Sequence, residues 1–273
     1  MNSLAIIALF TFIIHLTESL VYTLRLAGLR TQKIATALSL ITSALLISRL
    51  SNMGQAPLLG NLVDKTILSN TPIALEILTK QFRLIIFFAF LGSLLGFFLA
   101  PTMVVLLEKL IRRFSKTGRL IPLFFTVLHP QNFLKVILCF RLPKWSVLSV
   151  ISLKTLPKSF LIYNIFVTAI YTIGVLCSLL AGAYLPEFRS TAIQLSGIVN
   201  GIATILYATI VDPIGAKITD EAAHGDRDIN EVKSVVFYLL VGRLVGTLVI
   251  AQLLFMPFTS YILIVTKWIV GTF

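Results

Sequence analysis

The stretch SLAIIALFTFIIHLTESLVYTL, residues 3–24, decides how the rest of the chain is read. As a helix rising 1.5 Å per residue it is about 30 Å long, the thickness of a bilayer's hydrocarbon core. Yet it contains His15, Glu18 and Tyr22, and Arg25 follows directly. On a helix turning about 100° per residue these four fall within an arc of about 80°, which Thr11 shares. The opposite face is Leu, Ile, Phe and Val. Such a helix turns one side to lipid and the other to something polar. Two readings follow: the polar face lines a transport path, or Glu18 and Tyr22 hydrogen-bond a neighbouring helix.

Composition extends this reading to the whole chain. At 57% hydrophobic and 12% charged over 273 residues, with mean hydropathy +0.96, there is too little polar surface to coat a soluble globule. Apolar spans recur at about 4–24, 34–59, 83–107, 160–183, 189–211 and 234–262, which predicts an all-α polytopic membrane protein of about six transmembrane helices. No Lys or Arg precedes the first span and its second half is charged, so it is expected to stay as a helix rather than be removed as a signal. Cys139 and Cys177 have no metal-ligand spacing and no evident disulfide relation.

The formal charge of +12 is an orientation signal, not the footprint of a nucleic-acid partner, because the basic residues concentrate in alternate loops. Arg25, Arg30 and Lys33 lie between the first two spans, ten more from Lys109 to Lys158, and Lys217, Arg227 and Lys233 before the last. The other side carries only Lys65, Lys80, Arg83, Arg189 and Lys267. Both termini are therefore expected outside.

The third and sixth spans align without a gap at an offset of 150, pairing Arg83 with Lys233, Phe87 with Phe237, Gly92 with Gly242 and Gly96 with Gly246. The second and fifth spans also pair, Leu38 and Ser39 with Leu195 and Ser196 and, after a one-residue gap, Pro57 with Pro213 and Asp64 with Asp220. Three helices per unit is odd, so the second unit enters the membrane from the opposite side, an inverted 3+3 repeat of the kind found in transporters. The expected division is a first repeat over 1–110, a cytoplasmic interfacial segment over 111–158 and a second repeat over 159–273. The alternative is that apolar sequences align by composition, and that the GxxxG pairs mean only close helix packing.

Three further stretches bear on function. The second span loses apolar character along ISRLSNMGQAPLLGNLVD (47–64), where Arg49, Asn52 and Gln55 step by three and Gly54 and Pro57 weaken the backbone ladder, predicting a cavity-lining and broken helix. Arg49, near the end of a span, can equally snorkel to the interface. The counterpart 194–212 contains Ser196, Asn200, Gly201 and Thr204 ahead of Asp212. Arg243 stands well inside the last span and needs a counter-charge, for which Glu18 or the cargo is expected. Between the third and fourth spans, Phe114, Leu123, Phe133 and Trp145 alternate with basic residues and prolines, reading as amphipathic segments in the headgroup layer. His129, Gln131, Asn132 and Lys135 argue against a further span at 120–140. The polar run 212–233 reads as a solvated connection.

No catalytic constellation is present. There is no HExxH, no nucleotide-binding glycine loop, and the histidines His15, His129 and His224 are scattered, so no metal site is expected. An enzyme acting on a lipid phosphate would ordinarily show carboxylates able to hold magnesium, whereas only Glu18 is plainly inside a span.

The segments RLAGLRTQKIATALSL (25–40), SRLSNMGQAPLLGNLVD (48–64) and FRSTAIQLSGIVNGIATILYATIVDPIGAKITD (188–220) resemble the Amj family, bacterial lipid II flippases that serve as alternates to MurJ. The resemblance covers nearly the whole chain. It implies export of an undecaprenyl-diphosphate-linked disaccharide pentapeptide from the inner to the outer leaflet of the bacterial cytoplasmic membrane, among membrane lipids and with no soluble cofactor. It transfers no site residue. The residues for such a cargo come from the physical reading: Arg25, Arg49 and Arg243 as cations for the diphosphate, Tyr22, Asn52, Gln55 and Asn200 as hydrogen-bonding groups, and Glu18 as the partner of an arginine in the empty state, with His15 and Asp212 on the same polar path. Six helices make a small vault, so a headgroup of this size calls for a lateral groove or a second copy of the chain. A transporter of another polyprenyl-linked lipid or of phospholipid is the alternative, and an intramembrane lipid-modifying enzyme stands behind it.

Overall fold

The computed structural model describes residues 3–69, 71–118, 140–143, 149–152 and 156–272. Among these, six helices are long and apolar enough to cross a membrane: α1 (Ser3–Thr31), α2 (Ile34–Ser69), α3 (Pro72–Thr117), α4 (Lys158–Tyr184), α5 (Pro186–His224) and α6 (Ile229–Gly271). The chain is a multi-pass, all-helical membrane protein, as its hydropathy predicts. The helices outrun the apolar spans. At 46 residues α3 is about 69 Å long, so the expected span 83–107 is only its middle, and its ends stand clear of a hydrocarbon layer of about 30 Å.

Local sequence explains most of the turns. Gln32, at φ 54°, closes α1 in the left-handed conformation, with Lys33 N–H donating to the Gly28 carbonyl at 3.0 Å. Gly28 lets α2 cross close by, since a Cβ there would lie 2.6 Å from that of Ala37. Thr71 caps α3, its hydroxyl accepting from Ala74 N–H at 3.3 Å, with Pro72 in the first turn. Gly225, at φ 87°, ends α5. The stretch 212–233, read as a solvated connection, is mostly helical, and His224, Gly225, Asp226 and Asp228 are exposed at its turn. Between α5 and α6, Arg227 clasps Glu231 at 2.7 Å and Glu221 at 2.5 Å, and these hydrogen bonds raise its pKa above the ordinary arginine value.

Three helices carry irregular turns. α1 breaks at Tyr22 between regular segments Ser3–Val21 and Thr23–Thr31. α5 and α6 widen into π-turns at Tyr207–Val211 and Gly246–Ile250, a feature often found at functional sites. By contrast α2, expected to break, runs unbroken through Pro57. Proline there removes only the bond to the Met53 carbonyl, and the flanking turns hold the helix.

The core sits differently at the two ends. On the side of the termini one cluster joins the helices: Ile7 of α1, Leu59 and Val63 of α2, Phe82 and Ile86 of α3, Leu176 and Leu180 of α4, Leu195 of α5 and Phe255 of α6. On the other side the core divides. Leu24, Ala37, Leu40 and Ile111 tie α1, α2 and α3 together, while Tyr22, Val104, Phe160, Val211 and Leu239 join α1 and α3 to α4, α5 and α6 without α2. α2 is therefore packed against the second half at only one end.

The connection after α3 returns to the bundle. Arg141 N–H donates to the Thr102 hydroxyl at 2.8 Å, and Ser152 N–H to that of Ser234 at 3.1 Å. Of the interfacial segment expected over 111–158, residues 111–117 continue α3, while 119–139, with His129, Gln131, Asn132, Lys135 and Cys139, and 144–148, with Trp145, lie outside the described residues.

Candidate functional site: a buried guanidinium cluster between the halves

α1 places its polar face inward, between the first three helices and the last three. At its centre the Arg243 guanidinium donates from Nη2 to Glu18 Oε2 at 2.7 Å and lies 3.0 Å from His15 Nδ1. The counter-charge expected for Arg243 is thus Glu18. The guanidinium also stands over the Tyr22 ring, 5.8 Å from its centroid, a cation–π placement. Glu18 Oε1 accepts from the Ser48 hydroxyl of α2 at 2.9 Å. One turn pair along, Gln55 Nε2 donates to Thr11 Oγ1 at 3.0 Å, so the polar contacts of α1 with α2 continue toward the termini. A lone arginine at mid-helix costs about 2.5–3.5 kcal/mol on insertion scales, and this set of partners lowers that cost.

Exposure within the pair is unequal. The Arg243 side chain is 7% exposed and that of Glu18 31%. Arg243 Nε is buried without a hydrogen-bond partner among the described residues. The cation is thus covered by its carboxylate and retains an unused donor.

A second pair crosses between the halves on the far side of Tyr22. Arg25 is ion-paired with Asp212 of α5, and again the arginine is buried, 5% exposed, under a carboxylate that is 49% exposed. Tyr207, in the π-turn just before Asp212, packs with Tyr22 in the same core.

His15, Glu18, Tyr22 and Arg243 therefore come together, Arg25 with Asp212, and Gln55 with Thr11. Arg49 and Asn52 do not join them: both are exposed, with no hydrogen bond or ion pair among the described residues. The buried stripe of α2 is instead Ser48, Ser51 and Gln55. Asn200 faces α4, its Oδ1 against the place where Gly174 lacks a side chain. Sequence reading missed Ser48 and Tyr207. It also missed Asn164, fully buried on α4, which donates to the Leu239 carbonyl at 3.1 Å and sits where Gly242 has no Cβ. A lone amide inside an otherwise apolar span was the available signal.

Residues 10–266 match the family model described as Amj, alternate to MurJ. The chain belongs to the Amj family. Among its relatives is a protein of Bacillus subtilis (strain 168) named Lipid II flippase Amj, 38% identical over 260 residues that cover 95% of each chain. No solved structure matches the chain. In this member of the Amj family the cluster sets a carboxylate against a guanidinium inside the bundle. An arginine presents a planar fork of donors whose geometry matches phosphate or carboxylate, and here Glu18 occupies part of it.

Proposed function

We propose that this chain is a lipid II flippase, carrying the undecaprenyl-diphosphate-linked disaccharide pentapeptide from the inner to the outer leaflet of the bacterial cytoplasmic membrane. One observation carries the reading at the level of residues: a buried guanidinium, Arg243, lies between the halves of a membrane bundle under the displaceable carboxylate of Glu18, 2.7 Å away. The cargo diphosphate takes over Arg243, Glu18 is released to Ser48 and His15, and the return of Glu18 expels the cargo. Tyr22 and Gln55 contribute hydrogen bonds to sugar or peptide along the same face of α1, with Arg49, Asn52 and Asn200 on the walls of the wider path. This is transport, not catalysis.

In the orientation that charge supports, both termini are outside. The end at which α2 separates from the second half then faces the cytoplasm, where lipid II is made, and the prenyl tail stays in the bilayer while the headgroup crosses. The halves 1–110 and 159–273 act as inverted repeats. Two contacts support this: Gly96 of α3 packs on Leu16 and Ser19 of α1, and Gly246 of α6, its counterpart at the offset of 150, packs on Ile165 and Thr168 of α4, which follow Leu16 and Ser19 at an offset of 149. The pentapeptide headgroup is large for six helices, so a pair of chains is the form in which we expect the path to be complete. The deciding experiment is export of labelled lipid II in cells depleted of other flippases. Appearance of the label in the outer leaflet supports the reading, and its absence at normal protein level overturns it.

A further inference from the structure

The Arg25 and Asp212 pair has the same build as the Arg243 and Glu18 pair. In each, a guanidinium less than one-tenth exposed lies beneath a carboxylate that is far more open. In each, one guanidinium nitrogen is buried with no partner among the described residues, Nη1 of Arg25 and Nε of Arg243. A pair that served only to hold α1 to α5 would gain nothing from a cation left with spare donors while its anion stands half in the open. A glycine of α5 lets the helix lie close against the Arg25 guanidinium without a side chain between them. Gly215, one turn beyond Asp212, lies under it, and a Cβ at that position would already be in contact with Arg25 Cζ at 3.4 Å.

The two pairs flank one irregular point. Glu18 and Arg25 are seven residues apart, about 10 Å along α1, and the helix breaks between them at Tyr22. Asp212 directly follows the π-turn of α5, and the π-turn of α6 begins three residues after Arg243. Every helix that supplies a charge to either pair therefore has an irregular turn within a few residues of it. Such turns are where helices bend, and bending there would change the distance between the two guanidiniums.

We propose that Arg25 is a second anion site on the path, which takes the cargo's diphosphate by displacing Asp212 and passes it across Tyr22 to Arg243. This rests on the reading of Arg243 as the phosphate holder. Arg25 lies nearer the end where α2 separates from the second half, so it is the first station, and the chemistry it selects is a prenyl diphosphate.

The test uses the purified full-length chain in nanodiscs with farnesyl diphosphate as probe. Asp212→Asn removes the cover and leaves Arg25 in place, so affinity is expected to rise about threefold or more, whereas unchanged or weaker binding overturns the proposal. The exchange Arg25→Asp with Asp212→Arg keeps an ion pair between the same helices but moves the cation off the buried side. It is expected to keep the parent melting temperature and to lose about tenfold in affinity, the worth of one charge-assisted hydrogen bond. Parental binding and export by the exchanged chain would make the pair a structural latch and overturn the proposal. Inorganic diphosphate is expected to bind at least about tenfold more weakly than the prenyl compound, since it buries no tail, and equal binding would assign the site to a free anion instead. A parent chain that binds farnesyl diphosphate through Arg25 yet exports no lipid II would remove the flippase reading and leave the anion site standing.

Discussion

Glu18 on α1 and Arg243 on α6, 225 residues apart in sequence, meet at 2.7 Å and join the two halves of the bundle. The contact is between a half-open carboxylate and a closed-in guanidinium, so the two residues should respond differently to substitution. Glu18→Gln leaves the cation able to capture phosphate and should impair cycling more than folding. Arg243→Ala should abolish export. Arg243→Lys should insert normally but lose about tenfold or more in activity, because a point charge cannot make the bidentate contact and one charge-assisted hydrogen bond is worth about 1.5–3 kcal/mol. Complementation of a flippase-depleted strain, with protein level measured for each variant, checks the series. Full complementation by Arg243→Ala would remove this residue from the mechanism.

Close helix packing at four glycines gives a second expectation. Gly92 and Gly96 face Phe12, Leu16 and Ser19 on α1, and Gly242 and Gly246 face Asn164, Ile165 and Thr168 on α4. Leucine at Gly96 or at Gly246 should destabilise by about 1–3 kcal/mol or more, since neither neighbouring backbone can retreat without moving a helix. Melting of both variants in the same detergent measures this. A repeat with equivalent packing predicts losses of similar size, and a large loss in one with none in the other would count against it.

Asn164 supplies a prediction of opposite character, because its hydrogen-bond partners are backbone carbonyls of α6 and not the charges of the cluster. Its side-chain amide donates to the Tyr238 and Leu239 carbonyls across the contact of α4 with α6. Asn164→Ala should cost about 1–2 kcal/mol of stability through the lost interhelical hydrogen bonds, and transport per folded molecule should be nearly unchanged. Export normalised to folded protein separates the two quantities.

Orientation is open to direct labelling. With both termini outside, a cysteine at Ser69, at the end of α2, should react with an impermeant reagent in intact cells, while one at Lys116, at the end of α3, should be protected until the membrane is opened. Equal reactivity at the two positions would reject this orientation and, with it, the assignment of the divided end to the cytoplasm.

The number of helices and the polarity of α1 could be read from the chain alone, because crossing hydrocarbon imposes its demand locally: each span must be apolar for about 20 residues whatever surrounds it. For the same reason the ionisable residues of α1 stood out, and Arg243 required a counter-charge that few residues could supply. Rotation of one helix against another is not a local property. The step Arg49, Asn52, Gln55 and the step Ser48, Ser51, Gln55 are neighbouring stripes on α2, and sequence gave more weight to the first because it holds a charge. Packing against α1 turned the second stripe inward and left Arg49 and Asn52 exposed. Likewise Pro57 reads as a break, but the turns around it keep α2 continuous, whereas the break at Tyr22 has no proline or glycine to mark it, and the π-turns at Tyr207–Val211 and Gly246–Ile250 lie beside Pro213 and Gly246, which the sequence offers only as partners in the repeat. The pairing of Arg25 with Asp212 also awaited the tertiary structure, since it depends on α5 lying beside the end of α1, a placement fixed by contacts between segments nearly two hundred residues apart.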